Sequence, residues 1–374
     1  MTEHLDASSR ASARCLVMTT IPRTMDLFLG PHIEMLEERH GFEIHLGSAG
    51  PTENDQLKRF PYHEIPFSRS PFNVVQHVKS LVALRKLIGE LADMPLLLHL
   101  HTPICAFLAR AAIPKGRRKD VSVAYLAHGF HFLPEEKNLY WLLERVAAAR
   151  TDLMLVINDA DHKSATALQR RRKSLVRLLP GVGFQPRTEE TNTGAMIDSL
   201  EESDVVVVGL LTARKDPELA LRAIAQIPGK TLTFLGDGEL MDELKALAVS
   251  LGCADRVRFP GWVADVEQAY QGTPVLLFLS DREGLPMTVV EGAHHGLRVV
   301  AFDIRGVRDI LEGLNGWVIP DSREPEAVAR ALRTAFEIEP DVDEYAERSN
   351  RFKLENSLEA HSDAIGELLE SQVG

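Results

Sequence analysis

The sequence predicts an α/β protein of two doubly wound, Rossmann-like domains facing each other across a cleft. Three observations carry this. Apolar runs of strand length alternate with amphipathic stretches of helix length through most of the chain, the pattern of parallel strands joined by crossover helices. The alternation breaks once, at the polar segment GFQPRTEETNTGAMIDSLEESD that begins at Gly183, and then restarts. The length of 374 residues suits two domains, each able to bury a core of its own. The expected limits are 1–185 for the first domain, 186–203 for a linker and 204–344 for the second. A polar, helical stretch over 345–374 is expected to pack back on the first domain.

In the first domain, strands are expected at Cys15–Thr20, Glu43–Gly47, Leu96–Leu100, Val121–Leu126 and Leu153–Ile157. Helices fit Thr24–Glu38, Val74–Ala92, Ile104–Ala112, Asn138–Ala149 and Ala160–Arg171. In the second, strands fit Val205–Gly209, Thr231–Leu235, Val257–Phe259, Val275–Leu279 and Val299–Phe302. Its helices fit Pro217–Ile227, Glu239–Leu251, Asp265–Tyr270, Thr288–His295 and Pro325–Phe336. In such sheets, ligands bind beyond the carboxyl ends of the strands.

Composition excludes several classes. With 45% hydrophobic and 26% charged residues, the chain reads as soluble and globular. No apolar run reaches ~18 residues, so no spanning helix is expected. The polar start, MTEHLDASSRASAR, lacks the apolar core of a secretory leader. Cys15, Cys105 and Cys253 are scattered without a CxxC, which fits a reducing cytoplasm and offers no zinc site. The net charge of -12 divides unevenly: residues 1–200 hold 25 basic and 22 acidic side chains (+3), and the rest hold 17 and 32 (-15). This is not a nucleic-acid binder's balance. The basic runs Lys115–Lys119 and Arg170–Lys173 read as solvated surface, with contact to an anionic membrane as the alternative.

The most informative segment is SDREGLPMTVVEGAHHGLRVVAFDIRG, residues 280–306. A strand leads into the turn Gly284-Leu285-Pro286, a helix follows, and Glu283 and Glu291 flank the turn. Pro286 pre-sets the chain at a helix start. The amides of Gly284, Leu285 and Met287 are then placed to meet an anion. Glu291, one to two turns along, is placed to accept bonds from vicinal hydroxyls such as those of ribose. Glu136 and Glu144 are also eight apart but lack a turn and flanking strands, and they read as exposed helix.

With those residues in view, SDREGLPMTVVEGAHHGLRVVAFDIRGVRDIL resembles the C-terminal signature of glycosyltransferase family four, the retaining nucleotide-sugar transferases of the twin-Rossmann GT-B fold. VVVGLLTARKDPELALRAI, FLGDGEL, FPGWVADVEQAY and the hinge-like LLPGVGF resemble further parts of the family in order. HTPICAFLARAA and the stretch AHGFHFLPEEKNLYWLLERVAAARTDLMLVINDAD resemble a branch that builds capsule, exopolysaccharide and other surface glycans on polyprenyl-diphosphate carriers. The resemblance implies a UDP-sugar donor, a lipid-linked or oligosaccharide acceptor, and work at the cytoplasmic face of a membrane without a resident cofactor or metal. By the same resemblance, Glu283 holds hydroxyls of the donor sugar and Glu291 the ribose. Lys215, Arg214 and the amides after Glu283 hold the diphosphate, near the Gly209 turn. His128 sits near the transferred sugar, and the backbone around Val263 meets the base.

Two departures weaken the expected phosphate grip. Gly209 is followed by Leu210 where the family often has arginine, and the loop Thr19–Gly30 lacks paired glycines. Other motifs are set aside. Asp159/Asp161 and Asp341/Asp343 form DxD pairs, but the first reads as a helix cap and the second lies in a polar tail. Gly229-Lys230-Thr231 enters a strand, where a P-loop enters a helix. His294 and His295 point about 100° apart on a helix and cannot share an ion. His99 and His101 share a strand face and read as core or cleft lining. The Tyr140/Trp141/Leu142 stripe reads as core, with acceptor-lipid docking as the rival. Without an identifiable second carboxylate, same-face transfer fits better than double displacement. The competing readings are an epimerase-type sugar-nucleotide enzyme and a non-catalytic scaffold on the same fold.

Overall fold

The computed structural model describes residues 13–70, 72–169, 174–186, 202–263 and 265–373. The basic run Arg170–Lys173 and most of the expected linker lie outside them. The chain divides into two units, one comprising residues 1–182 and 355–374 and the other residues 183–354.

Unit 1 is built on near-continuous apolar strands. In order it carries β1 (Arg14–Met18), α1 (Pro22–Phe28), α2 (Gly30–His40), β2 (Glu43–Ser48), β3 (Tyr62–Glu64), α3 (Val74–Leu91) and β4 (Leu96–His101). Then come α4 (Pro103–Ala112), β5 (Val121–Ala127), α5 (Leu139–Ala147), β6 (Leu153–Val156), α6 (Asp159–Leu168) and β7 (Leu175–Leu178). The sheet order is β3-β2-β1-β4-β5-β6-β7, with every pairing parallel. β4 is buried along its whole length, as expected of a strand covered on both faces.

Several local expectations change. The single helix expected over Thr24–Glu38 is two, α1 and α2, broken at Leu29. Pro31 stands in the first turn of α2; proline supplies no N–H and clashes with the preceding turn, so it starts a helix and does not continue one. β3 and β7 are sheet-edge strands of three and four residues and only partly buried, so no continuous apolar run marks them. Glu144 is not on an exposed helix face. It is buried on α5 and receives Arg110 Nη2 at 2.9 Å, beside Tyr125, whose ring lies 4.6 Å from the guanidinium. The aromatic stripe is also corrected: Tyr140 and Leu142 are exposed, and Trp141 is the member that packs against the core.

Unit 2 carries β8 (Val205–Val208), α7 (Pro217–Ala225), β9 (Leu232–Leu235), α8 (Met241–Ser250), β10 (Val257–Gly261), α9 (Glu267–Tyr270) and β11 (Val275–Phe278). It continues with α10 (Met287–His294), β12 (Arg298–Ala301), α11 (Val307–Leu311), β13 (Trp317–Val318), α12 (Pro325–Glu337) and α13 (Val342–Asn350). Its parallel sheet runs β10-β9-β8-β11-β12-β13. The strand order reverses direction between β8 and β11, and ligand sites of open α/β sheets form at that switch point. The last helix, α14 (Leu354–Val373), groups with unit 1 from Glu355 on. Ser357, His361, Ala364, Ile365 and Leu368 form its buried face.

Candidate functional site

In unit 2, the loops after β8 and β11 bring together residues 68 positions apart. Lys215 Nζ lies 2.9 Å from Glu283 Oε1, and Arg214 Nη1 lies 2.6 Å from the same oxygen. Arg214 Nη1 also donates to the Arg282 carbonyl at 2.9 Å, and the Asp281 amide donates to the Arg214 carbonyl at 3.1 Å. Two cations therefore converge on one carboxylate at the carboxyl end of the sheet. Lys215 is mostly buried, and burial lowers its pKa, with Glu283 acting in the opposite direction. Its ammonium lies over the Phe278 ring at 4.9 Å. Leu210 is exposed and supplies no charge, so the cations held against Glu283 are Arg214 and Lys215.

Glycines shape this end of the sheet. Gly236 has φ 144°, and a Cβ there would lie 1.9 Å from the Gly209 carbonyl oxygen. Gly306 has φ 77°, and a Cβ there would lie 2.1 Å from the Gly284 oxygen. Both contacts demand glycine, because no side chain fits and the φ values disfavour L residues. Arg305 Nε donates to the Glu283 carbonyl at 3.0 Å, which fixes the turn from behind.

The turn delivers the helix start that the sequence predicts. Pro286 is the residue before α10, with no side-chain cap. Among the described residues, the amides of Leu285 and Met287 donate to no protein group. Glu291 lies on the second turn of α10, where the Tyr270 hydroxyl donates to its Oε2 at 3.3 Å. Burial pushes the Glu291 carboxyl up to about 7; the Tyr270 bond pulls it back in part, and Glu267 adds to the rise. Val263, buried, follows β10. Ser280 Oγ is buried, has no hydrogen-bond partner among the described residues, and lines the same small pocket as Gly209 and Lys215. Tyr270, Ser280 and Arg305 were not singled out from sequence, since no local motif marks them.

His128, in unit 1, directly follows β5 and is half-buried. Its Nε2 lies 3.1 Å from His101 Nδ1, and a series of buried histidines continues inward from there. At the end of β4, Thr102 takes φ 65°, a strained value for a non-glycine residue. Its hydroxyl accepts from the Thr20 amide at 3.0 Å and ties the loop after β4 to the loop after β1. Unit 1 also holds an apolar cavity of about 250 Å³, lined by Ile104, Phe107, Phe130, Phe132, Tyr140 and Leu143 among others. Beside it α3 exposes Val74, Val75, Val78 and Val82, and α5 exposes Leu139, Leu142 and Val146.

The motifs set aside have local work. Asn158 caps α6 and receives the Asp161 amide at 2.8 Å, so the cap is the asparagine before the DxD pair. Asp341 caps α13. Lys230 pairs with Asp204 at 2.7 Å.

Residues 202–337 match the family model for Glycosyl transferases group 1. The chain is 30% identical over 329 residues to the putative glycosyltransferase EpsD of Bacillus subtilis (strain 168), covering 82% of this chain and 83% of that one. It is 26% identical to the UDP-Gal:alpha-D-GlcNAc-diphosphoundecaprenol alpha-1,3-galactosyltransferase of Escherichia coli, over 66% of this chain and 67% of that one. Among solved structures, Anabaena Alr3699/HepE in complex with UDP-glucose aligns with a TM-score of 0.69 at 17% identity, covering 94% of this chain and 99% of that chain. That likeness establishes the fold.

Proposed function

The chain belongs to the group 1 glycosyl transferases, and from that premise we propose that it moves a sugar, with retention of configuration, from a UDP-sugar to a polyprenyl-diphosphate-linked glycan. The observation that carries the donor side is the convergence of Arg214 and Lys215 on Glu283, beside the amides of Leu285 and Met287. When the donor arrives, its diphosphate competes with Glu283 for the two cations. The carboxylate turns to the sugar hydroxyls, and the cations and amides take the phosphate charge. Glu291 accepts the ribose hydroxyls, the backbone around Val263 meets the base, and His128 meets the transferred sugar.

In the reaction, the acceptor hydroxyl oxygen bonds to the anomeric carbon as the bond from that carbon to the diphosphate breaks. The hydroxyl proton passes to a leaving phosphate oxygen. Lys215 and the turn amides stabilise the charge that develops there, and loss of one such preorganised donor typically costs about 2.7–4 kcal/mol. Lys215→Ala should therefore cut turnover by roughly two to three orders of magnitude with the fold intact.

The acceptor side rests on unit 1. An isoprenoid chain suits the cavity under Phe107 and Phe132, and the exposed valines of α3 and leucines of α5 suit a membrane surface. Lys79, Arg85, Lys86 and Lys137, all exposed on or beside these helices, suit anionic headgroups. No helix among the described residues is long and apolar enough to cross a membrane, so the proposed contact is peripheral, at the cytoplasmic face. The relatives' names point the same way: the Escherichia coli protein uses UDP-Gal and a diphosphoundecaprenol-linked acceptor.

A thermal-shift panel of nucleotide sugars tests the donor reading. A ligand at ~100 times its dissociation constant should stabilise the protein by about 2.7 kcal/mol. UDP-sugars should stand above GDP-sugars and free sugars. A flat response across the panel would refute the donor site.

A further inference from the structure

Five histidines from distant parts of unit 1 form one continuous hydrogen-bonded series. His32, on α2, has Nε2 2.9 Å from the Val182 carbonyl oxygen and Nδ1 2.9 Å from Nδ1 of His361, on α14. His361 Nε2 lies 2.8 Å from His99 Nε2. His99 Nδ1 lies 2.7 Å from His101 Nε2, and His101 Nδ1 lies 3.1 Å from His128 Nε2. His32, His99, His101 and His361 are each no more than 2% exposed. All ten ring nitrogens but one, His128 Nδ1, are engaged in the series.

A carbonyl oxygen at one end sets the sense of every bond. It can only accept, so His32 must donate from Nε2. Burial lowers the pKa of all five histidines, that of His99 to about 3 and that of His128 to about 4, and each ring therefore carries one proton at neutral pH. His32 Nδ1 is then bare and accepts from His361 Nδ1–H. His361 Nε2 accepts from His99 Nε2–H, His99 Nδ1 from His101 Nε2–H, and His101 Nδ1 from His128 Nε2–H. The reverse order would set a bare His32 nitrogen against the carbonyl oxygen, lone pair to lone pair, in a site without water access.

We infer that the Val182 carbonyl, acting through His32, His361, His99 and His101, locks His128 in the tautomer with a bare Nδ1, so that His128 meets its ligand as a hydrogen-bond acceptor. The four inner histidines are positioning residues. The series is not a proton conduit, because a backbone carbonyl at its far end takes no proton. The consequence for the substrate rests on the proposed function: the group opposite His128 on the transferred sugar must be a donor, a hydroxyl or an amide N–H. A carboxylate at that position would meet a lone pair.

Long-range ¹H–¹⁵N correlation spectra of ¹⁵N-histidine-labelled full-length protein at pH 7.5, without ligand, test the relay independently of any activity. A bare and a protonated ring nitrogen resonate far apart. The expected result is a single tautomer for His128, Nε2 protonated and Nδ1 bare, with His361 alone of the five protonated at Nδ1. Protonation of His128 Nδ1, or a mixture of its tautomers, would overturn the inference. His32→Leu, which cuts the series from the carbonyl four hydrogen bonds away from His128, should turn the His128 signal into a mixture. His32→Gln, whose amide can donate to Val182 and accept from His361, should restore the single form. An unchanged His128 spectrum in folded His32→Leu would also overturn it. Because these readouts need no donor or acceptor, an inactive protein with the expected spectrum would count against the proposed function and not against the relay.

Discussion

The histidine series should make unit 1 labile to mild acid. His99, His101 and His361 are fully buried, and burial is the largest cause that lowers their pKa values, with the neighbouring rings adding to it. The unfolded chain binds a proton on each imidazole below about pH 6.5, and the folded chain does not. Stability is therefore intact above the unfolded value and falls as pH drops toward the folded ones. At 1.36 kcal/mol per unit, each histidine held neutral costs roughly 1.25 kcal/mol between pH 7 and pH 5.5. The three together cost about 4 kcal/mol, a large share of the 5–15 kcal/mol that typically holds a domain folded. For a unit of this size, that corresponds to a fall of roughly 8–15 °C in unfolding temperature. The histidines of unit 2 are His294 and His295, both only half-buried, so its loss should be smaller. Tryptophan fluorescence separates the two units. Trp141 reports unit 1 when Trp262 and Trp317 are replaced by phenylalanine, and the converse Trp141→Phe protein reports unit 2. Thermal melts at pH 7.0, 6.25 and 5.5 should show the Trp141 transition moving down well ahead of the other. A shift of the Trp141 midpoint by under about 2 °C, or an equal shift in unit 2, would refute the reasoning.

Other perturbations follow from the same geometry. In the proposed donor site Glu291 accepts two ribose hydroxyls as a carboxylate, and burial pushes that carboxyl up to about 7, so UDP affinity should rise through neutrality. Calorimetry should find about tenfold weaker binding per pH unit below 7 and little change above 8, and Glu291→Gln should flatten that profile. Glu283→Gln should move binding and turnover in opposite directions: freed of their carboxylate, Arg214 and Lys215 should hold UDP roughly fivefold tighter, worth about 1 kcal/mol, while sugar transfer collapses. Glu144→Ala leaves Arg110 buried without its partner and should cost about 3–5 kcal/mol in urea unfolding. Leu142→Asp on α5 should abolish co-sedimentation with anionic vesicles and spare UDP binding; undiminished vesicle binding would remove α5 from the membrane contact.

Local patterns were legible wherever the signal and the structure share one stretch of chain. The turn from Ser280 to Met287 reads from sequence because strand, turn and helix are consecutive, and proline and glycine carry their backbone preferences with them. Glu291 could be placed on α10 for the same reason. Its raised pKa could not, since that comes from burial and from Tyr270, which stands 21 residues away at the end of α9. The missing arginine after Gly209 was visible as an absence of charge, whereas the way Arg214 and Lys215 share Glu283 was not.

The sequence by itself determined the class of fold, the two-unit plan and the strand–turn–helix from Val275 to His294, because hydrophobic periodicity and turn chemistry are properties of neighbouring residues. Only the tertiary structure decided what long-range packing creates. Glu144 looked like an exposed helix acid until α4 brought Arg110 against it. His99 and His101 read as core or cleft lining and are buried, but only the return of α14 to unit 1 set His361 beside His99 and His32, 329 residues from the latter. A hydrogen bond between groups so far apart in the chain leaves no periodic trace, since its energy depends on where folding brings the two ends and not on the residues next to either.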